Sequence, residues 1–175
     1  VLYDVRTPDG HVNEDVFAYS NRLGDERTLV VYNNRFAEAA GTIARSVGIN
    51  TGDGTKRRIV HKNLAEGLGL AADDSVFYVF KDERSGLEYI RKGADLASEG
   101  LSIRLGAYKS HVFTTFREIR DHDGRWRRLH DLLEGAGVPD MMRAFRELSL
   151  QPVLTPFVSA VSPGTLRSLV HDGRK

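Results

Sequence analysis

The sequence has 175 residues, no cysteine, and 25 Lys and Arg against 24 Asp and Glu, which gives a formal net charge of +1. The lack of cysteine excludes a disulfide scaffold, a thiol nucleophile and thiolate-held metal centres, and it is compatible with the predicted cytoplasmic location. Because the charges balance, we predict no nucleic-acid partner. Because no apolar stretch approaches the roughly 20 residues that span a bilayer, we predict no membrane partner.

The first two thirds of the chain predict short strands separated by turns. The predicted strands are Val16–Ser20, Thr28–Tyr32, Thr42–Val47, Lys56–Val60, Ser75–Phe80, Leu87–Arg91, Leu101–Leu105 and His111–Phe116. Gly48–Thr55 is predicted as a loop, and Leu64–Leu70 as a loop or a short helical turn. This many short strands predict a mainly β fold, an antiparallel β-sandwich with Greek-key-like connections, over residues 1–121.

The hydrophobic period changes after Asp121. Trp126, Leu129 and Leu132 recur at helical spacing, and the glycines at 135 and 137 follow as stop signals. A second helical pattern begins after Pro139. Residues 122–175 are therefore predicted to form a small C-terminal helical appendage that packs on the sandwich.

No motif in the sequence predicts a catalytic, metal or cofactor site. The six histidines show no HExxH or i, i+4 spacing, so we predict no metal ligand. The segment Gly48–Lys56 lacks the glycine that precedes the lysine of a phosphate-binding loop. The arginines between Arg117 and Arg128 alternate with acidic residues, which favours an ion-paired surface over a nucleic-acid site.

Aromatic side chains offer one ligand-binding hypothesis. Exposed aromatic rings stack on the apolar faces of sugar rings, so a row of them in solvent would bind carbohydrate. The candidate carbohydrate-binding residues are Tyr19, Tyr32, Tyr89 and Trp126. Packing in the core of the sandwich is the competing interpretation of the tyrosines, because most of them lie within alternating strands.

Two pairs of segments resemble a known family. One pair of segments is Val12–Arg22 with Gly24–Arg35, and the other is Leu101–Phe113 with Phe116–Asp121. The resemblance is to the C-terminal region of large bacterial proteins of the alpha-amylase family of glycoside hydrolases. In that family a β-sandwich domain follows the catalytic barrel, and the resemblance covers roughly residues 1–120. It implies an accessory domain of a larger enzyme, which we call the parent, that hydrolyses or rearranges α-glucans.

The resemblance transfers no catalytic residue, because the sequence has no βα alternation to build the barrel and none of the barrel's motifs. We therefore predict a non-catalytic C-terminal domain that packs on the parent's catalytic barrel in cis and stabilises it. A chain that begins at Val1 rather than at a methionine fits a fragment cut at a domain boundary. The alternatives are a stand-alone α-glucan-binding module and, third, a self-contained enzyme with an acid pair that the sequence does not reveal.

Overall fold

The computed structural model describes residues 1–52 and 56–160, with side chains as far as residue 150. The strands in chain order are β1 (Leu2–Arg6), β2 (Val16–Leu23), β3 (Glu26–Asn33), β4 (Ala39–Ser46), β5 (Ile49–Asn50), β6 (Ile59–Val60), β7 (Val76–Asp82), β8 (Glu88–Lys92), β9 (Leu101–Leu105) and β10 (Ser110–Arg120). The helices are α1 (Leu64–Leu68), α2 (Gly93–Ser98), α3 (Arg125–Leu133) and α4 (Met141–Ala160).

Within these residues, eight strands form one antiparallel sheet in the order β8-β7-β10-β3-β2-β1-β4-β9, and β5 pairs with β6 in a separate ribbon. Hairpins join β2 to β3 and β7 to β8. Strand β1 lies between β2 and β4, and β10 lies between β3 and β7, so the chain order and the spatial order differ. The predicted mainly β antiparallel fold with a C-terminal helical element is confirmed.

The inner side chains of the sheet form the hydrophobic core. Because successive side chains of a strand point to opposite faces, alternate residues such as Ala18, Leu29 and Ile43 lie inside. Side chains from β7 and from β9 belong to the same core cluster, so the sheet curls and brings its two ends together. Helices α1 and α2 contribute Leu64, Leu68 and Leu96 to this cluster.

Strand β7 is covered on both faces, as its continuous apolar run predicts. Tyr78 and Phe80 point into the core, whereas Phe77 and Val79 are buried on the outer face. Helix α3 supplies the cover there, since the Phe77 ring lies 5.6 Å from the His130 ring and Leu129 is buried.

Three local features refine the predictions. Leu64–Leu68 is a short helix, which was one of the two predictions for Leu64–Leu70, because Asn63 and Glu66 form a reciprocal capping box that satisfies its first N–H groups. The helix Gly93–Ser98 was not predicted at all. Within the predicted loop Gly48–Thr55, Ile49–Asn50 is a strand paired with Ile59–Val60, and residues 53–55 lie outside the described part.

The chain divides into two compact units, residues 1–141 and residues 142–175. Helix α3 belongs to the first unit, and nearly all of α4 belongs to the second. That the helical tail packs on the sandwich stays a prediction.

Candidate functional site

A row of apolar side chains crosses four neighbouring strands on the outer face of the sheet. Leu2 of β1 is paired with Tyr19 of β2, Tyr19 with Val30 of β3, and Val30 with Val112 of β10. Paired residues of adjacent strands point to the same face, so these four side chains lie side by side. The row is a consequence of strand register.

A second pair extends the row along the strands. Phe17 lies two residues before Tyr19 on β2 and is paired with Tyr32 of β3. Leu2 and Phe17 are each 48% exposed, Tyr19 is 42% exposed and Tyr32 is 37% exposed, whereas Val30 and Val112 are half-buried. We call these six residues the aromatic face: Leu2, Phe17, Tyr19, Val30, Tyr32 and Val112. None of them carries a charge, and contiguous exposed apolar groups on a sheet are typical of a binding surface.

Only two of the four predicted carbohydrate-binding residues, Tyr19 and Tyr32, lie on this face. Tyr89, on β8, is half-buried and stacks on Phe80, with ring centroids 6.0 Å apart, and meets the edge of Phe113. Trp126 is half-buried in the first turn of α3, and its backbone N–H donates to Asp121. The four residues therefore occupy three places rather than one platform.

Two exposed aromatic rings that were not predicted from the sequence form a pair. Phe36 is 82% exposed and Tyr108 is 56% exposed, and their ring centroids lie 6.0 Å apart at a tilt of 40°. Tyr108 has a φ of +53°, a left-handed conformation that an aromatic residue rarely adopts and that costs about 1–2 kcal/mol. The backbone of Tyr108 is held by a hydrogen bond from its N–H to the Arg35 carbonyl oxygen. This Phe36–Tyr108 pair is a second exposed aromatic surface, and it shares no residue with the aromatic face.

A buried carboxylate organises the opposite side of the sheet. Asp82 is completely buried and accepts hydrogen bonds from His111 Nδ1 at 2.9 Å, from Ser85 Oγ at 2.7 Å, and from the backbone N–H groups of residues 84, 85 and 112. Burial alone would raise the pKa of the Asp82 carboxyl, but these hydrogen bonds outweigh it and hold that pKa below its ordinary value. Asp82 is therefore an ionised anchor.

The geometry of His111 makes it an unsuitable general base in this structure. Its Nδ1 faces the Asp82 carboxylate, and its Nε2 lies 3.2 Å from the Arg104 carbonyl oxygen. Both ring nitrogens of His111 are therefore engaged with acceptors of the protein. Asp82 and His111 thus tie β7 and β10 to β9 across the curl of the sheet.

The two end strands of the sheet, β8 and β9, border a cleft of about 200 Å³, which we call the seam cleft. Tyr89 and Arg91 line it from β8, Arg104 from β9, and Gly135 from the segment after α3. That segment runs along β8, because Glu88 and Val138 exchange backbone hydrogen bonds.

Residues 1–52 and 56–160 contain no group of three or more His, Cys, Asp or Glu side chains that could hold a metal ion. No helix in the described part of the chain is long and apolar enough to cross a membrane. No protein-family model matches the chain, and comparisons with curated proteins and with solved structures return no match.

Proposed function

We propose that this chain is a non-catalytic accessory domain of an alpha-amylase-like glycoside hydrolase that acts on α-glucans, and that it packs on the catalytic barrel through the aromatic face. The exposed aromatic face is the observation that carries the proposal. Strands β2 and β3 supply Phe17, Tyr19, Val30 and Tyr32, and they lie in the first pair of segments that resemble the alpha-amylase family. The resemblance and the exposed surface therefore point to the same strands.

The aromatic face has the chemistry of a permanent intramolecular contact. Interfaces between domains of one chain bury about 600–1,500 Å², and apolar area contributes about 25 cal/mol per Å² that leaves water. Large aromatic side chains in the centre of such an interface dominate its energy. The central strands of the sheet hold these rings rigidly, because their neighbours Ala18, Leu29 and Val31 are fixed in the core.

Within this proposal the chain takes no part in bond cleavage. The carboxylates that act on the glycosidic bond belong to the barrel, and the domain restrains the barrel against local opening. The docking surface is held directly by the core of the domain, since the aromatic face and the core occupy opposite sides of the same strands.

The test is the double substitution Phe17→Thr with Tyr32→Thr in the barrel-containing polypeptide. Threonine keeps the β propensity while removing both rings, so the domain itself should unfold at nearly the same denaturant concentration. We expect docking on the barrel to become weaker by about 2–4 kcal/mol and the barrel to lose activity faster on heating. The rate of thermal inactivation is the measurement.

The matched control is Phe36→Ser with Tyr108→Asn, which removes two exposed rings elsewhere and gives residue 108 a side chain that tolerates the left-handed conformation. It should leave the inactivation rate unchanged. Equal inactivation rates for the two double variants would contradict docking through the aromatic face.

The second candidate is an α-glucan-binding module, favoured by the Phe36–Tyr108 pair. Two adjacent exposed rings, with the strained backbone at Tyr108, form a stacking site for a sugar ring. Maltoheptaose titrated to millimolar concentration should then shift the NMR resonances of both residues. Binding should disappear in Phe36→Ser with Tyr108→Asn and persist in Phe17→Thr with Tyr32→Thr. Absence of any shift in the unsubstituted chain would exclude this candidate.

A further inference from the structure

The two rings of the Phe36–Tyr108 pair come from different loops. Phe36 lies in the loop between β3 and β4, and Tyr108 lies in the loop between β9 and β10. Both rings are exposed, yet their centroids lie only 6.0 Å apart. Rings on separate loops keep such a distance in solution only where both loops are held in place.

The side chain of Asn33, at the end of β3, is completely buried and forms hydrogen bonds with both loops. Its amide nitrogen donates to the carbonyl oxygens of Ala37 at 2.7 Å and Gly106 at 2.9 Å. Its amide oxygen accepts a hydrogen bond from the Arg35 backbone N–H at 3.2 Å. Arg35 and Ala37 are the two chain neighbours of Phe36, so the backbone is fixed on both sides of that ring.

Asn33 also holds the second loop on both sides of Tyr108. Gly106 is bound to the Asn33 side chain, and the Asn33 backbone N–H donates to the Lys109 carbonyl oxygen at 3.0 Å. The Tyr108 N–H donates to the Arg35 carbonyl oxygen at 3.2 Å, which joins the two loops directly. These contacts hold Tyr108 at its left-handed φ of +53°.

Among side chains of this size, only a primary amide supplies this set of hydrogen bonds. Asn33 Nδ2 carries two N–H donors for two carbonyl oxygens, and Oδ1 accepts from a backbone N–H. An ionised carboxylate of the same shape only accepts, and a hydroxyl group has a single donor. A buried carbonyl oxygen that loses its donor is costly, so any other side chain here would loosen at least one loop.

We propose that Asn33 is the positioning residue of a preformed carbohydrate site, in which its buried amide fixes Phe36 and Tyr108 as one stacking surface for an α-glucan. This inference rests on the second candidate function, from which the ligand is taken. Ordering side chains and loops at the moment of binding opposes affinity, so a surface that is already ordered binds more tightly. Strained backbone such as that of Tyr108 persists where the surrounding contacts over-determine it, and such residues cluster at ligand sites.

The first measurement is made by NMR on the unsubstituted chain without ligand. Relaxation of the backbone amides should give order parameters of about 0.85 in residues 34–37 and 106–109, as in a rigid strand. Nuclear Overhauser effects between the ring protons of Phe36 and Tyr108 should be present. Order parameters below about 0.6 in either loop would overturn the role of Asn33.

The second measurement is the affinity of Asn33→Asp for maltoheptaose. This substitution keeps the shape of the side chain and removes both N–H donors. We expect the Overhauser effects between the two rings to disappear and the affinity to fall about tenfold, because the loops must then be ordered on binding.

The matched control is Ser20→Ala, which removes a different buried hydrogen bond of the same sheet, the one between Ser20 Oγ and the Tyr3 hydroxyl at 2.7 Å. It should lower the stability of the chain as well, because the Tyr3 hydroxyl loses its partner. Its affinity for maltoheptaose and its ring-to-ring Overhauser effects should equal those of the unsubstituted chain.

The outcomes separate the role of Asn33 from the choice of ligand. An unchanged affinity in Asn33→Asp, or an equal loss in Ser20→Ala, would overturn the positioning role. If Asn33→Asp does not fold, the order parameters of the unsubstituted chain decide that role alone. Failure of the unsubstituted chain to bind maltoheptaose would overturn the glucan-binding candidate and the ligand assigned here, whereas glucan binding by a chain with disordered loops would overturn only the role of Asn33.

Discussion

Replacing Asp82 by alanine is expected to lower the free energy of unfolding by about 3–5 kcal/mol, because the change removes a buried charge and leaves its donors without partners. The donors include His111 Nδ1, Ser85 Oγ and the Val112 N–H group. They belong to β10 and to the turn after β7, so their loss loosens the contact between these strands. Urea unfolding, with the slope of the transition checked for two-state behaviour, measures the change.

A comparable pair on the surface provides the control. Asp9 accepts from His11 Nδ1 at 2.9 Å, the same distance as in the Asp82–His111 pair, but both side chains are largely exposed. Asp9→Ala should leave the free energy of unfolding nearly unchanged, because exposed ion pairs contribute little. A small effect of Asp82→Ala, similar to that of Asp9→Ala, would contradict the role of Asp82 as an anchor.

The same anchor gives a pH dependence with a definite sign. The hydrogen bonds to Asp82 hold its pKa in the folded state below the ordinary value of about 3.9. The ionised Asp82 carboxylate therefore contributes its full stabilisation at pH values above that ordinary pKa. This stabilisation is lost as the pH falls through the pKa that Asp82 has in the folded state. The stability difference between the unsubstituted chain and Asp82→Asn should shrink below about pH 4. A difference that stays constant into that range would show that Asp82 is not the titrating group.

Gly100→Ala is expected to lower the free energy of unfolding by about 3 kcal/mol or more, for two reasons that add. Gly100 has a φ of +84°, which disfavours a side chain. A Cβ atom there would overlap the Ile43 carbonyl oxygen and lie 2.6 Å from the Ala44 Cα atom, so β9 would be pushed away from β4. Thermal or urea unfolding of the variant measures the loss.

Gly86→Ala separates the two contributions. Gly86 has a φ of +74°, but a Cβ atom there would meet nothing within 4 Å. Its substitution should cost only the conformational part, about 1–2 kcal/mol. If Gly86→Ala and Gly100→Ala destabilise the chain equally, close packing of Gly100 against β4 is not what requires glycine there.

Much of the sheet could be predicted from the sequence, because its strands carry clear patterns. Leu101, Ile103 and Leu105 alternate with exposed residues and are buried on one face, as the two-residue period requires. The short helices were harder to predict from the sequence. Helix α2 has six residues and no side-chain cap, so too little periodicity marks it, whereas α1 contains Gly67 and is followed by Gly69.

The candidate surfaces were predicted only in part, since a surface depends on which strands become neighbours. Tyr19 and Tyr32 share a face because the tight turn after Leu23 sets the register of one hairpin, which is local information. Phe36 and Tyr108 meet because β10 pairs with β3 across a long stretch of chain, and no local pattern specifies that pairing. One signal was present: Phe36 is the one large apolar residue in the loop between β3 and β4.

The proposal that the aromatic face docks on a catalytic barrel is tested most directly by hydroxyl-radical footprinting with mass spectrometry. The 175-residue chain and the barrel-containing polypeptide are compared, and oxidation is measured at Phe17, Tyr19 and Tyr32. Phe36 and Tyr108 serve as the internal reference. Docking predicts that the three residues of the aromatic face become protected in the longer polypeptide while the reference pair stays reactive. Equal oxidation of Phe17, Tyr19 and Tyr32 in both proteins would contradict it.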